Sequence, residues 1–412
     1  MKSFSPIENL LAKFLSRFPH LKKRIKFFYQ SINYFFHKKD YLFYSEYDVE
    51  EVTDSYSETF FGYYDKDPYN KSKKLILFHA IDNIKNNKKV KVICMNQETK
   101  EIKQEFSSKA FNYQQGARLH WLTEEKFIFN DFNEEIETYC SKIFDVSKNE
   151  LTEISLPVYD TFKDEFAMTL NFERLAKFSS DYGYLALKKL DLHEDNCRDG
   201  IWKINLENDN HELLISFEEI IQFHYEKRFL NANHTVNHIM ISPDGESFIF
   251  IHRWYENDIR RDRLILVDIK SKRMKMISSK GVISHCCWVK NNKILGYLES
   301  NLGLGYQFYE IADDKFEMID NNLNKYGDGH PTYFKNYMLT DTYPNRSRIQ
   351  SILKYNFKTK EIEVLGEFFS GLQFIEETRC DLHPRISSNC YFFDSTFKGK
   401  RRFYSLNIPD NG

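Results

Sequence analysis

The chain has 412 residues, of which 42% are hydrophobic and 29% charged, a composition typical of a soluble globular protein rather than a disordered one. The net charge of −2 argues against a general nucleic-acid-binding protein. The seven cysteines are odd in number and include no Cys-x-x-Cys pair, which indicates a reducing compartment and argues against a zinc-thiolate site.

Residues 1–44 are predicted to form a basic amphipathic helical arm. Apolar residues recur at helical spacing with a break at Pro19, and residues 1–39 hold nine Lys or Arg and one acidic residue. Such an arm can lie on an anionic membrane surface, or it can pack on the main domain or a neighbouring subunit. The apolar runs are too short for a secretion signal or a membrane span, so the sequence predicts a cytoplasmic protein, membrane-associated if the arm binds lipid.

The segment 45–412 reads as a series of short strands. Runs rich in Phe, Ile, Tyr and Val alternate with turn signals such as "SPDGE" and "FKGK". Seven similar segments follow one another, and their landmarks are 53, 53, 70, 47, 45 and 53 residues apart: Gly62, Gln115, Met168, His238, His285, His330 and His383. The long interval contains a predicted helical insertion, Ser216–Leu230. Regular units of about 50 residues predict an all-β fold, a seven-bladed β-propeller, with six or eight blades as the alternatives.

A histidine stands at the head of four successive segments: His238, His285, His330 and His383. The innermost strands of a propeller line its central channel, so we expect equivalent positions to converge at one rim. Segment two has Gln114 and Gln115 at this position. Several neutral imidazoles suit a divalent metal such as Mn²⁺, Fe²⁺, Ni²⁺ or Zn²⁺, and a histidine is also a natural general base. In the alternative interpretation, each histidine is bonded to a neighbouring blade.

Charged and aromatic residues accompany these histidines. The arginine fork suits carboxylates, so Arg253 and Arg385 are candidates for binding an acidic substrate, although either could brace the blades. Asp341 is a candidate for substrate binding or for tying down a loop. Tyr64, in "FGYYDKDPYN", could stack on a sugar ring or belong to a first-blade turn. Two residues of the motif "RCDLHPR" are interpreted as outer supports or braces: Arg379 and Asp381.

The motifs "VNHIMISPDGESFIFIHRW", "SHCCW", "DGHPTY" and "DLHPRIS" resemble the oligogalacturonate lyase family over about residues 230–405. That family consists of seven-bladed propellers that hold Mn²⁺ through His and Gln residues. A separate histidine acts as the base, and the enzymes cleave uronate oligosaccharides by β-elimination. The chain also resembles proteins encoded in bacterial capsule and surface-polysaccharide gene clusters, which share "FGYYDK", "QQG", "TDTYP" and "RCDLHPR"; several of these are labelled glycosyltransferases.

The resemblance to the lyases implies roles for individual residues. It makes His238 the base and His285, His330 and His383 the metal ligands. The family's glutamine ligand has no match here, and three residues are alternatives for it: Gln114, Gln115 and Asp328. Arg253 or Arg385 would neutralise the uronate carboxylate, with Gln114, Gln115, Tyr64 and Asp341 as further substrate-binding candidates.

Three functions follow as hypotheses. The first is a metal-dependent lyase, acting on an acidic oligo- or polysaccharide in bacterial surface-polysaccharide metabolism. The second is glycosyl transfer or hydrolysis, although the chain has no Rossmann-type glycine fingerprint. The third is a non-enzymatic glycan-binding or scaffolding propeller, docked on a membrane-bound assembly by the N-terminal arm.

Overall fold

A computed structural model describes residues 19–82, 88–184, 186, 196–256, 259–387 and 390–408. Within these ranges the chain forms seven antiparallel sheets, each with four or five strands, arranged as the blades of a β-propeller. The prediction of an all-β, seven-bladed propeller is therefore confirmed.

The first three blades use strands β3 to β15. Blade 1 contains β3 (Glu58–Phe60), β4 (Tyr69–Asn70), β5 (Leu75–Ile81), β6 (Val90–Asn96) and β7 (Ile102–Ser108). Blade 2 contains β8 (His120–Trp121), β9 (Lys126–Asn133), β10 (Thr138–Asp145) and β11 (Glu150–Ile154). Blade 3 contains β12 (Asp160–Phe162), β13 (Phe166–Thr169), β14 (Gly200–Asn205) and β15 (His211–Ser216).

In each of the next two blades, all four strands follow one another along the chain. Blade 4 contains β16 (Asn233–Ile241), β17 (Ser247–Glu256), β18 (Ile259–Asp268) and β19 (Met274–Ser278). Blade 5 contains β20 (Ile283–Lys290), β21 (Lys293–Ser300), β22 (Gly303–Glu310) and β23 (Lys315–Met318). The first strand of blade 4 is almost wholly buried, whereas its last strand is partly exposed, as expected for the innermost and outermost strands of a blade.

The last two blades each take an outer strand from the N-terminal part of the chain. Blade 6 contains β24 (Thr332–Phe334), β25 (Tyr337–Asp341), β26 (Ile349–Asn356), β27 (Ile362–Phe369) and β1 (Phe43–Tyr44). Blade 7 contains β28 (Arg385–Ser387), β29 (Cys390–Ser395), β30 (Arg402–Asn407) and β2 (Asp48–Glu51). Pairing β2 with β30 ties the beginning of the propeller to its end and covers an edge that would otherwise be unpaired.

Three α-helices are present in the described residues: α1 (Pro19–His37), α2 (Phe172–Phe178) and α3 (Phe217–Gln222). The predicted insertion Ser216–Leu230 is only partly helical. Ser216 and Glu219 form a capping box that starts α3, but the helix ends after six residues and a 3₁₀ turn, Lys227–Asn231, follows. Helix α1 lies within the predicted arm 1–44, of which residues 1–18 fall outside the described residues. Strand β1 (Phe43–Tyr44), assigned to the arm by sequence, pairs with blade 6.

The structure corrects the landmark of the third segment. Met168 lies in β13, the second strand of blade 3, whereas the position equivalent to the histidines is Tyr159, directly before β12. The loop between β13 and β14 carries α2, so much of the long interval falls inside blade 3 rather than between blades.

Candidate metal centre

Four histidines from four successive blades lie side by side. His238 belongs to β16 and His285 to β20, while His330 precedes β24 and His383 precedes β28. The ring centroids are 5.5 Å apart for His238 and His285, 4.0 Å for His285 and His330, and 4.2 Å for His330 and His383. The structure therefore brings together the four side chains that the repeat spacing predicts to converge.

Two of the four have left-handed backbones, with φ of +55° at His238 and +44° at His383. His238 lies where the register of β16 against β17 shifts, as in a β-bulge. A positive φ is strained for these residues and persists only where neighbours hold it. The amide of His238 donates to Tyr159 Oη (3.0 Å), and the amide of His383 donates to Asp341 Oδ2 (3.0 Å). Both histidines are thus fixed through their own backbone amides.

Hydrogen bonds assign the tautomers of His330 and His383. His330 Nδ1 lies 2.8 Å from Asp341 Oδ1, and the same oxygen also accepts the amide N–H of His330. His383 Nδ1 lies 2.8 Å from the carbonyl oxygen of Gly62, which can only accept. Each Nδ1 is therefore the protonated nitrogen, and each Nε2 carries a lone pair. Both Nε2 atoms are buried and have no hydrogen-bond partner among the described residues.

Asp381 completes a group of three ligand atoms. Its Oδ2 accepts from Arg379 Nε (2.8 Å), while its Oδ1 is buried with no partner within the described chain. Ligand atoms of His330, Asp381 and His383 all lie within 4.8 Å of one another. Buried polar atoms are nearly always paired, so three orphaned acceptors in one place need an explanation. Two imidazoles and a carboxylate are a donor set that suits divalent metals such as Mn²⁺, Fe²⁺ and Zn²⁺, so these residues fit a metal.

His285 and His238 flank this group. His285 Nδ1 lies 3.1 Å from Ser284 Oγ and 3.5 Å from Asp328 Oδ1, and Ser284 Oγ donates to Asp328 Oδ2 (2.6 Å). Both ring nitrogens of His238 are buried without a partner among the described residues. Burial lowers the pKa of His238, His330 and His383 well below the ordinary range of histidine. These three rings are therefore neutral at pH 7, with lone pairs available to a metal or a proton.

A tyrosine that the sequence pattern does not single out lies among the histidines. The ring of Tyr63 is 5.1 to 6.3 Å from all four imidazoles, and its hydroxyl is buried with no partner in the described part of the chain. Tyr64, the predicted sugar-stacking residue, packs 5.3 Å from the ring of His330 and donates to the carbonyl oxygen of Cys286 (2.7 Å). Both tyrosines are almost fully buried, so they form part of the wall of the site.

The two predicted carboxylate-binding arginines lie in buried ion pairs. Arg253 Nε donates to Asp262 Oδ1 (2.7 Å), and Arg385 Nη2 donates to Asp394 Oδ2 (2.9 Å) and also to the carbonyl oxygen of Gly62. Each of these arginines therefore has an acidic partner within its own blade. This arrangement agrees with the alternative interpretation of the sequence, in which the arginines brace the blades. Their predicted role in catalysis stays a prediction.

Arg379 is the arginine that adjoins the ligand group. It donates to Asp381 (2.8 Å), Asp181 (3.2 Å) and Gln114 Oε1 (3.1 Å), and its side chain is 28% exposed. Gln114 also donates to the carbonyl oxygen of Arg379 (2.8 Å), so its amide is used within the protein. Gln115 donates to Tyr159 Oη (2.8 Å), which in turn donates to Asn237.

Asp341, predicted as a substrate-binding or loop-tying residue, supports two of the histidines instead of facing outward. It accepts the Nδ1–H of His330 and the amides of His330 and His383. Burial raises its pKa to about 7. A carboxylate behind a ligating histidine fixes the ring and raises its basicity, which is the arrangement common behind metal-binding histidines.

The sequence contains a local signal for Asp381 that is independent of the repeat spacing. In an extended segment, residues i and i+2 project to the same side, and "DLH" places Asp381 two residues before His383. Tyr63 gave no comparable signal, because a tyrosine beside Tyr64 in an aromatic-rich turn is also expected in a packed first blade.

No protein-family model matches the chain, and no curated protein matches it. Among solved structures, it is similar to an oligogalacturonate lyase from Vibrio parahaemolyticus, with a TM-score of 0.60 and 14% identity over 89% of this chain and 97% of that one. The β-propeller domain of the trilobed protease from Pyrococcus furiosus has a TM-score of 0.44 and 12% identity over 85% of this chain and 94% of the domain. TolB from Acinetobacter baumannii has a TM-score of 0.37 and 10% identity over 78% and 76%.

At these identities the likeness concerns the fold, and propellers serve many unrelated functions. The chain is a seven-bladed β-propeller similar in fold to an oligogalacturonate lyase over nearly the whole length of both proteins.

Proposed function

We propose that this protein is a metal-dependent enzyme that cleaves an acidic, uronate-containing glycan by β-elimination. One observation carries the proposal: ligand atoms of His330, Asp381 and His383 lie within 4.8 Å of one another, and each of these side chains has a buried acceptor without a partner among the described residues. His238, whose ring lies 5.5 Å from that of His285, is neutral and likewise has no partner in the described chain. A metal-binding group next to a free general base is the minimum that this reaction needs. The similar fold of an oligogalacturonate lyase adds support.

The metal would be held by His330 Nε2, His383 Nε2 and Asp381 Oδ1, and His285, whose ring adjoins His330, stays a predicted further ligand. In this proposal Asp381 provides the oxygen ligand, a role for which Gln114, Gln115 and Asp328 are the candidates from sequence. A divalent cation such as Mn²⁺, when bound, supplies positive charge that neutralises a uronate carboxylate and makes the proton on the adjacent carbon more acidic. Asp341 and the Gly62 carbonyl keep the two ligating rings in the required tautomer.

His238 is the proposed base. Its low pKa keeps the ring neutral, and neither nitrogen is used by a described residue. In the proposed reaction, His238 takes the proton from the carbon next to the carboxylate, and the C–H electron pair becomes a carbon–carbon double bond. The bond from the next carbon to the glycosidic oxygen breaks, and that oxygen leaves with its electron pair and takes a proton from water. The product therefore carries an unsaturated uronate at its new end.

Arg379 is a further candidate for binding the substrate carboxylate, besides Arg253 and Arg385. It is the partly exposed arginine that touches the ligand group, and it is anchored by Asp381 and Gln114. Arg253 and Arg385 each have a carboxylate partner at hydrogen-bond distance within the protein. Breaking the Arg385 pair to bind substrate would leave the buried Asp394 without its cation, whereas Asp262 would keep its ion pair with Arg260 if Arg253 turned away.

The test is to incubate the protein and Mn²⁺ with oligogalacturonate and other uronate oligosaccharides and to follow the ultraviolet absorbance of the unsaturated product. We expect a signal from the wild type and from His211→Ala, a control histidine exposed on β15. His238→Ala should retain the metal and lose the signal. Cleavage without a double bond would instead indicate hydrolysis or transfer, and binding without cleavage would indicate a non-enzymatic glycan-binding protein.

A further inference from the structure

Hydrogen bonds join the equivalent positions of blades 2, 3 and 4. Gln115 precedes the first strand of blade 2, Tyr159 precedes that of blade 3, and His238 lies in that of blade 4. Gln115 Nε2 donates to Tyr159 Oη (2.8 Å), and the backbone amide of His238 donates to the same oxygen (3.0 Å). The hydroxyl of Tyr159 therefore links the glutamine to the proposed base.

The proton of this hydroxyl has one place to go. Asn237 Oδ1 accepts the amide N–H of His238 (2.8 Å), so it is an oxygen, and the Tyr159 hydroxyl donates to it (2.7 Å). The same hydroxyl accepts from Gln115 and from the amide of His238. One donated and two accepted bonds are the full capacity of a hydroxyl. Tyr159 is also 1% exposed, so it is placed to hold its neighbours and not to touch a substrate.

His238 has an unusual backbone that needs such support. The pairing of β16 with β17 shifts between Asn237 and Met240, so β16 holds one residue more than its partner strand there, as in a β-bulge. His238 lies in this bulge with φ of +55°, a conformation that persists only where neighbours hold it. A bulge re-aims a side chain and leaves the extra residue unpaired in the ladder. Tyr159 and Asn237 supply the acceptors that the opposite strand does not.

Tyr159 is itself fixed by a buried ion pair. Arg118 Nε donates to the carbonyl oxygen of Tyr159 (2.7 Å), and the guanidinium lies 4.6 Å from the centre of the Tyr159 ring. Arg118 pairs in turn with Asp65 (2.8 Å), and both side chains are almost fully buried. The ring of Tyr159 also stacks on that of Phe172. The hydroxyl is therefore held by the main chain, the ring and a charge pair together.

We propose that Tyr159 is a positioning residue for His238, whose left-handed bulge its hydroxyl holds in place. The catalytic part of this inference rests on the proposed function, because Tyr159 would act through the base of that reaction. The structural part, that the hydroxyl fixes the backbone of His238, depends on no reaction. Without the hydroxyl, Asn237 is the remaining acceptor for the amide of His238 among the described residues, and the base loses its single orientation toward the reacting carbon.

The kinetic test is Tyr159→Phe, which removes the hydroxyl and keeps the ring. With Mn²⁺ and oligogalacturonate, kcat should fall about 10–100-fold, since misplacing a reacting group by about 1 Å can cost that much. KM and the metal content should stay at the wild-type values, because the hydroxyl touches neither the substrate nor a proposed metal ligand. Circular dichroism checks that the variant is folded.

Tyr184→Phe is the matched control. Tyr184 is also 1% exposed, its hydroxyl accepts from Asn130 Nδ2 (2.8 Å), and its ring stacks on the same Phe172 (4.3 Å). Among the described residues it forms no hydrogen bond with His238. This variant loses a comparable buried hydroxyl and should keep the kcat of the wild type.

A second measurement needs no substrate. Hydrogen exchange of the His238 amide can be followed by NMR in protein labelled with ¹⁵N at its 13 histidines, where the His238 signal is the one missing from His238→Gln. This amide should exchange at least about tenfold faster in Tyr159→Phe than in the wild type or in Tyr184→Phe, because one of its two acceptors is gone. If Tyr159→Phe does not fold, Gln115→Met, which removes a bond that orients the hydroxyl, should also accelerate the exchange.

The outcomes separate this inference from the proposed function. Unchanged exchange of the His238 amide in the folded variant overturns the inference, whether or not a glycan is cleaved. If elimination occurs but Tyr159→Phe keeps its kcat or loses its metal, or if Tyr184→Phe loses as much kcat, the reaction stands and the positioning role is wrong. If no acidic glycan is cleaved, the proposed function fails together with the catalytic role of Tyr159, while faster exchange in Tyr159→Phe supports the structural part.

Discussion

Replacing Asp381 with Asn gives a quantitative prediction for the candidate metal centre. The change keeps the size of the side chain but removes the charge of one of three proposed ligands, whose Oδ1 is buried with no partner among the described residues. Loss of a residue that merely supports a metal ligand costs about 10–100-fold in affinity, so loss of a ligand should cost at least about 100-fold. The stabilisation of the folded protein by added metal should fall accordingly.

The size of this effect follows from linkage. At a metal concentration of about 100 times the dissociation constant, bound metal stabilises the wild type by about 2.7 kcal/mol, whereas a 100-fold weaker variant gains about 0.4 kcal/mol. An unfolding entropy of about 2.1 cal/mol/K per residue over 412 residues converts the difference of about 2.3 kcal/mol to about 3 °C.

The assay is differential scanning calorimetry with and without Mn²⁺. Asp313→Asn, an exposed aspartate on the β22–β23 turn, serves as the charge-matched control and should behave as the wild type does. Because Asp381→Asn also weakens the ion pair with Arg379, the readout is the Mn²⁺-dependent shift and not the absolute melting temperature. An unchanged Mn²⁺-dependent shift in Asp381→Asn would refute the assignment of this carboxylate as a ligand.

Three further outcomes are expected. His238→Gln should lower the elimination rate by about 10²–10⁴-fold while the metal content measured by elemental analysis is unchanged, because this residue acts as a base and not as a ligand; parallel loss of metal would contradict that division. Asp341→Asn should weaken Mn²⁺ binding by about 10–100-fold in calorimetric titration, since one amide oxygen cannot replace both carboxylate oxygens that accept from His330 and His383; unchanged affinity would exclude the supporting role. Burial lowers the pKa of His79 to about 3, so between pH 6.5 and pH 3 this side chain is protonated in the unfolded protein but not in the folded one. His79 should therefore lower the free energy of unfolding by about 1.4 kcal/mol for each pH unit in that range. In urea titrations of His79→Gln, the free energy of unfolding should depend on pH less steeply by that amount; an unchanged pH dependence would contradict the assignment.

Repeat spacing was sufficient to predict the fold and the grouping of the histidines. The pattern works because each blade is one unit of similar length, so positions equivalent in sequence are equivalent around the axis. It failed at blade 3, where α2 lies inside the blade and separates β13 from β14. An insertion within a blade lengthens the spacing without indicating which strand precedes it, so the spacing points to Met168 instead of Tyr159.

The details of the site depend on contacts that spacing does not encode. Arg385 and Asp394 form an ion pair across β28 and β29, two antiparallel strands of blade 7. The sequence alone does not show whether such an arginine faces its own blade or the channel. Asp341 lies at the end of β25, yet it accepts from residues of two different blades. Roles that depend on which atoms remain unpaired, such as Asp381 Oδ1, become visible only when the packing is known.

The central claim is that the histidine cluster holds a divalent metal, and the metal content of the purified protein tests it most directly. After saturation with Mn²⁺ and gel filtration, elemental analysis should find about one metal ion per chain in the wild type and in His211→Ala. The ion should be lost from His330→Ala, His383→Ala and Asp381→Ala. Absence of stoichiometric metal from the wild type, or equal metal content in all of these folded variants, would contradict the account.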